Sequence, residues 1–78
     1  MRATLIGYKN LDFISKEGGA VQGTTLFVCY QEQDVHGRKC NKFFVNNRIE
    51  MPAKLKAGGE YDIYFNEKGK VEQVLLAE

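Results

Sequence analysis

Aromatic and basic residues are mixed in the segment CNKFFV (40–45), which has the aromatic and β-branched character of a strand. Successive side chains of a strand point to opposite faces, so Phe43 and Phe44 cannot both enter one core. One ring is therefore expected to face away from the core, near Lys42. Flat apolar rings stack on unpaired bases and nearby cations neutralise phosphates, so this combination suits single-stranded nucleic acid. A second hydrophobic core or a dimer interface would also use such a ring.

Positive charge is concentrated in the middle of the chain, although the formal net charge is only +1. Residues 36–56 carry six cationic side chains and one acidic side chain, a balance of +5. Residues 57–78 carry a balance of −3. This separation is typical of a polyanion-binding surface on one side of a domain, although solvated surface charge gives the same pattern.

Alternation of apolar residues predicts an all-β fold with five strands, which fits one domain over residues 1–78. The strands are expected at 2–15, 24–33, 38–47, 61–66 and 71–77, with Gly7 as a bulge or coil point in the first. The connections are a glycine-marked loop at 16–23, a turn at 34–37 and a short helical or irregular segment within 48–60. A five-stranded antiparallel OB-like barrel is the commonest match to this layout, and closure would remove exposed sheet edges. An SH3-like barrel and an open meander are the alternatives.

The second and third strands are expected to pair as a hairpin that turns at His36-Gly37. This register places Val28 opposite Val45 and Tyr30 opposite Phe43, all on the core face. A turn centred one residue earlier preserves the same faces. The opposite face of the hairpin then carries Thr25, Phe27, Cys29, Gln31, Cys40, Lys42, Phe44 and Asn46.

The candidate nucleic-acid contacts combine residues of this opposite face with basic residues around the hairpin. In OB barrels the ligand face is centred on the second and third strands, with loops around it. The candidates are Phe27, Gln31, Arg38, Lys39, Lys42, Phe44, Arg48 and Lys16.

Catalytic and metal chemistry find little support in the residue types. Cys29 and Cys40 are too few for a disulfide scaffold and, with His36 as the single histidine, lack partners for zinc. Both thiols are expected to be free in a reducing cytosol. Asp34 and His36 have no placed nucleophile, and the glycine-containing segments lack phosphate-loop spacing. The sequence therefore predicts no enzyme, no metal and no cofactor.

Apolar runs in this chain are short compared with the roughly 20 residues that cross a bilayer. The amino-terminal residues also lack the charged and then apolar pattern of a signal peptide. These features predict a cytoplasmic protein without a membrane partner.

Across most of its length the chain resembles the small single-stranded DNA-binding proteins of filamentous phages, the gene V protein type, and their relatives on mobile elements. The similarity is one of layout, in LDFIS, KEGGAVQG, TTLFVCY, GRKCNKFFV, LKAGGEYDIYF and GKVEQVLLAE, taken in order. The resemblance implies an OB-type barrel that dimerises and coats single-stranded DNA without strict sequence preference, as in DNA replication. It also implies that Phe27, Phe44 and the neighbouring basic residues contact the DNA. The chain departs from that family in its near-neutral net charge and its shorter length.

A homodimer is expected on physical grounds as well, because a chain of this size has a modest core and an apolar surplus that includes VLLA (74–77). RNA in place of DNA stays open. A protein-interaction or regulatory module that uses the same apolar face is the alternative function.

Overall fold

Five antiparallel strands form one sheet in the computed structural model, which describes residues 1–77. The strands are β1 (Arg2–Ile14), β2 (Ala20–Tyr30), β3 (Lys39–Asn46), β4 (Glu60–Phe65) and β5 (Val71–Leu76). Their order across the sheet is β3-β2-β1-β4-β5. The all-β prediction and its five antiparallel strands are confirmed. Glu78, which contributes to the acidic balance of residues 57–78, lies outside the described residues.

The two edges of the sheet, β3 and β5, come close to each other without pairing as strands. Just after β3, the carbonyl oxygen of Glu50 accepts a hydrogen bond from the backbone N–H of Val74, at 3.0 Å. The rings of Phe43 and Phe65 meet edge to face, with centroids 5.1 Å apart. The structure therefore shows an open sheet with its edges in contact, and the closed barrel stays a prediction.

The hydrophobic core lies on one face of this sheet, called the inner face below. Its buried apolar residues are Ala3, Leu5, Leu26, Val28, Tyr30, Val45, Tyr61, Ile63, Val71 and Val74. Leu26, Val28 and Tyr30 alternate along β2, as expected for a strand with one side buried. Full burial of such an aliphatic side chain is worth about 1.5–3 kcal/mol, which fixes the face that each strand turns inward. The other side of the sheet is the outer face.

A bulge in β1 changes which residues reach the outer face. The register with β2 shifts between Leu5 and Gly7, as predicted for Gly7. After the bulge, Tyr8 pairs with Leu26 on the inner face, so the next residue, Lys9, lies on the outer face.

An arm made of residues 12–22 extends beyond the part of the sheet that β3 and β4 pair with. The sequence predicted a loop over 16–23, but β2 already begins at Ala20. Residues 20–22 of the arm therefore belong to a strand. The turn is short and is closed by a 2.8 Å hydrogen bond from the N–H of Ser15 to the oxygen of Gly19. Gly18 has a φ of 86° there, which favours glycine.

The predicted register of the second hairpin is wrong by four residues. Val45 pairs with Thr24 rather than Val28, and residues 31–38 form the connection in place of a two-residue turn. Asp34 and Gly37 both adopt positive φ, 67° and 87°, so the chain turns twice in this polar stretch. A shift by an even number of residues leaves each side chain on its predicted face, because the period of a strand is two.

The segment between β3 and β4 is irregular. Among residues 1–77 the structure contains no helix, so the helical form of the prediction for 48–60 is not seen. This segment returns to the sheet through Gly58 and Gly59, which exchange backbone hydrogen bonds of 2.7 and 2.9 Å with Leu5. Met51 and Leu55 are partly buried and pack against the core.

Candidate nucleic-acid interface

Two neighbouring rows on the outer face each combine an aromatic ring with a lysine. In the first row, Phe27 of β2 lies opposite Lys42 of β3. In the second row, Phe44 of β3 lies opposite Thr25, whose partner on the other side is Lys9 of β1. The two rings are therefore diagonal neighbours, and each has an ammonium group in its own row.

Both rings are accessible to a ligand. Phe27 and Phe44 are each 41% exposed, whereas Phe43 is half-buried and Val45 is buried. The expectation that Phe44 faces away from the core, beside Lys42, agrees with this arrangement.

The position of the Phe44 ring depends on the glycine beneath it. A Cβ placed on Gly23 would lie 2.6 Å from Cζ of Phe44 and 2.3 Å from the carbonyl oxygen of Val45. The ring edge therefore occupies the space that a side chain at this position would fill. One side of the ring therefore lies over Gly23 while the ring as a whole stays 41% exposed.

A cleft of about 460 Å³ continues from these rows towards the turn between β4 and β5. Lys42 and Phe44 line one side, and Asn66 and Lys70 line the other. Lys9 and Lys70 were not among the sequence candidates. Lys9 could have been found by continuing the alternation past the Gly7 bulge, whereas Lys70 depends on the approach of β5 to β3 and has no local signal.

Arg38 lies across one end of the outer face. Its Nη2 donates to Oγ1 of Thr4 at 2.8 Å and to the carbonyl oxygen of Cys29 at 3.0 Å. The hydroxyl of Thr4 in turn donates to Oε1 of Glu60. Arg38 is thus fixed against the sheet, with its remaining guanidinium N–H groups available to a ligand.

Lys39 is paired within the protein. Its Nζ lies 3.0 Å from Oε2 of Glu32. The hydrogen bond and the charge of Glu32 raise the pKa of Lys39 above its ordinary value. Because Glu32 already compensates this charge, Lys39 offers less free positive charge than Lys42.

The remaining three candidates are spread over the molecule. Gln31 is exposed just beyond the end of β2, and Arg48 is exposed in the turn after β3. Lys16 lies in the turn of the arm, at the opposite end of β2 from Gln31. Phe27 lies seven residues, or about 23 Å, from Ala20 at the start of β2, and Lys16 lies beyond that end, far from the Phe27 row.

A disulfide bond joins Cys29 and Cys40, so the prediction of two free thiols is wrong. The two residues lie directly opposite each other, with their Cα atoms 4.1 Å apart. The incorrect register placed Cys29 opposite Phe44 and so separated the pair. The disulfide lies in the outer-face row next to Phe27 and Lys42.

The outer face is divided by charge. Glu60 and Asp62 of β4 lie on it, opposite Thr4 and Arg2 of β1. Arg2 and Asp62 form an ion pair at 3.2 Å. The acidic side chains are therefore on the β4 side, and the free lysines are on the side formed by β1, β2 and β3.

Residues 1–77 contain no group of three or more His, Cys, Asp or Glu side chains that could hold a metal ion. They also contain no helix that is long and apolar enough to cross a membrane.

Comparison of the chain with protein-family models, with curated proteins and with solved structures gives no match. The similarity to the gene V protein type accordingly rests on the layout of the sequence.

Proposed function

We propose that this protein binds single-stranded DNA with little sequence preference, as a homodimer, through the outer face of β2 and β3. The observation that carries the proposal is the pair of rows in which exposed Phe27 and Phe44 lie beside Lys42 and Lys9. Unpaired bases expose apolar faces that stack on such rings, while each phosphate carries a charge that a lysine neutralises. Neither interaction reads base edges, which accounts for the low sequence preference.

An OB-like barrel belongs to the same proposal. Its support is the strand order β3-β2-β1-β4-β5 together with the parallel bridge between Glu50 and Gln73, which brings the two edge strands to each other. In such a barrel the face of the second and third strands is the ligand face, as proposed for this chain.

A cytoplasmic location is also part of the proposal, and it sets a condition on the disulfide. Thiols are kept reduced in most cytosols, so a cytoplasmic protein would keep the Cys29–Cys40 bond only if the bond resists reduction there. The faces of β2 and β3 do not depend on the bond, because they follow from burial of Leu26, Val28 and Val45.

The stacking part of the proposal is tested by titrating fluorescent oligo-dT with the protein and its Phe44→Ala variant at two salt concentrations. Loss of one stacking ring is expected to weaken binding by about 1–3 kcal/mol at both concentrations, with nearly the same salt slope. Tyr64→Ala is the matched control, because this ring is 44% exposed but lies on β4. Its affinity should equal that of the parent protein.

The charge part of the proposal is tested in the same titration with Lys42→Ala. Removing one phosphate contact should reduce the slope of log K against log salt by about 0.7, the value per phosphate for single strands. Lys39→Ala is the control, because Glu32 lies 3.0 Å from its ammonium, and it should change the slope less.

The alternative function, a protein-interaction or regulatory module, is favoured by one observation. Ile6 is 54% exposed and, with Phe27 and Cys40, lines a second cleft on the outer face. A partner protein would meet such an apolar surface with little dependence on ionic strength. A Phe44→Ala variant that melts normally and still binds oligo-dT as tightly as the parent would point to this alternative. A large loss of stability, about 3–5 kcal/mol, would instead mean that the ring belongs to the core.

A further inference from the structure

Within residues 1–77, one edge of β1 has no strand partner over half of its length, although the segment 51–55 lines a cleft together with Tyr8 and Asn10. β4 pairs with β1 only at Arg2, Ala3 and Thr4, and the next residue, Leu5, bonds to Gly58 and Gly59. Within residues 1–77, the backbone from Tyr8 to Ile14 pairs with β2 on one side and with no strand on the other.

The hydrogen bond that closes the arm shows which backbone groups face this free edge. Ser15 donates to Gly19, so this pair is a hydrogen-bonded one, and such pairs alternate along an antiparallel ladder. Phe13, Leu11 and Lys9 therefore direct their backbone groups to β2. The inner-face residues between them direct theirs to the free edge; these are Tyr8, Asn10, Asp12 and Ile14.

We propose that a second copy of this chain pairs with this edge, antiparallel and about a two-fold axis at Leu11. This inference rests on the homodimer of the proposed function and names its surface. Residues that lie directly opposite each other in a sheet have their side chains on the same face. A two-fold axis perpendicular to the sheet must therefore pass between one residue and its own counterpart, not between two successive residues. An axis at Lys9 or Asp12 would oppose like charges. An axis at Asn10 would leave Ile14 beyond the paired strands.

The axis at Leu11 gives complementary neighbours on both faces. Tyr8 lies opposite Ile14 of the second copy, which covers a residue that is 75% exposed in the single chain. Lys9 lies opposite Phe13 of the second copy, an arrangement that permits contact between an ammonium and a ring. Phe13 is 49% exposed in the single chain, so this pair also covers apolar surface.

The polar pair on the inner face is complementary as well. Asn10 lies opposite Asp12 of the second copy in this register. The Oδ1 atom of Asn10 already accepts a hydrogen bond from the hydroxyl of Thr24, at 3.1 Å, so its amide nitrogen is free to donate. A carboxylate is the acceptor that this donor requires.

Pairing of this kind joins the unpaired parts of the two β1 strands, which are central strands of their sheets. An exposed strand edge with apolar side chains is a template for uncontrolled association, and a closed two-fold contact removes it. Lys9, on the outer face of β1 in one copy, then lies next to the outer face of β1 in the other copy. The two proposed DNA-binding faces become one surface.

The test is oxidative cross-linking of Leu11→Cys at about 100 μM protein, a concentration above the micromolar affinity of a modest interface. Leu11 and its counterpart lie directly opposite each other on antiparallel strands, as Cys29 and Cys40 do. A disulfide can therefore form between the two introduced cysteines, and most of the variant should run at twice its mass on a non-reducing gel. Lys9→Cys is the matched control on the same face and edge. Its own counterpart lies about 13 Å along the strands, so it should give roughly tenfold less dimer.

A second measurement covers the case in which Leu11→Cys fails to fold. Tyr8→Cys and Ile14→Cys, both at exposed positions, are mixed and treated with a short bifunctional maleimide, and a mixed dimer is expected. Light scattering that shows a dimer, with both cross-links absent, would overturn this surface and leave the homodimer standing. A monomer at this concentration would overturn both. The oligo-dT titration reports on DNA binding independently of either result.

Discussion

At the scale of single residues, the close approach of Gly23 to the third strand decides where the Phe44 ring lies. The ring crosses the strand where a side chain is missing, and the carbonyl oxygen of Val45 comes within 2.3 Å of the position of a Cβ. An added methyl group would therefore have to displace backbone as well as a ring.

Gly23→Ala is expected to lower the free energy of unfolding by about 1–3 kcal/mol, the usual cost of overpacking. It should also weaken oligo-dT binding, because the Phe44 ring is displaced. Gly7→Ala is the control, because a Cβ there has nothing within 4 Å. Urea denaturation of both variants checks the expectation, and equal stability of the two would contradict the role given to Gly23.

Residue patterns alone predicted which of the two adjacent rings faces outward. Val45 and the residues alternating along β2 are strongly apolar, so the inner face was determined by burial and Phe44 was left outside. The role of Lys70 could not be predicted in this way. Its place in the cleft depends on the distance between two edge strands that are not neighbours in sequence.

At the scale of secondary-structure elements, the pairing of β2 with β3 is the part that sequence reasoning placed incorrectly. The His36-Gly37 pair resembles a hairpin turn, but the chain turns earlier as well, at Asp34 with a φ of 67°. The polar stretch 31–38 buries little apolar surface, so nothing in it favours continued strand pairing. The opposition of Cys29 and Cys40 was the signal that would have corrected the register.

The disulfide is expected to stabilise the folded protein through the unfolded chain. It links residues 11 apart in sequence, and closing a loop of this size removes conformational entropy worth about 3 kcal/mol from the unfolded state. Chemical denaturation with and without reductant should therefore differ by about 2–3 kcal/mol. The Cys29→Ser/Cys40→Ser double variant should match the reduced protein and ignore the reductant. A parent protein that also ignores the reductant would show that the bond contributes little.

At the scale of the whole molecule, the contact between the rings of Phe43 and Phe65 joins the edge strand β3 to β4, across the sheet. Phe43 lies on β3 and Phe65 on β4, and β2 and β1 separate these two strands in the sheet. The centroids of the two rings are nevertheless only 5.1 Å apart. Their edge-to-face contact joins the side of the molecule that carries Lys42 to the side that carries Lys70. Phe43 itself lines the cleft between these lysines.

A double-mutant cycle with Phe43→Leu and Phe65→Leu is expected to give a coupling energy of about 0.5–1.5 kcal/mol, typical of aromatic pairs. The same cycle with Phe43→Leu and Tyr64→Leu should be additive within about 0.5 kcal/mol, because Tyr64 is exposed on the outer face. Denaturation midpoints of the six proteins provide the measurement. Additivity in both cycles would mean that the rings of Phe43 and Phe65 merely lie near each other.

The Cys29–Cys40 bond is a second covalent connection between β2 and β3, in addition to the loop 31–38. Residues 31–38 are largely exposed, and the bond joins the two strands immediately outside them. A peptide bond broken between Val35 and His36 would leave two fragments that are still covalently linked and still paired. Continuity of the backbone in this loop is then dispensable in the oxidised protein, so the loop is the place to insert a label or a second domain without separating the strands that carry Phe27 and Phe44.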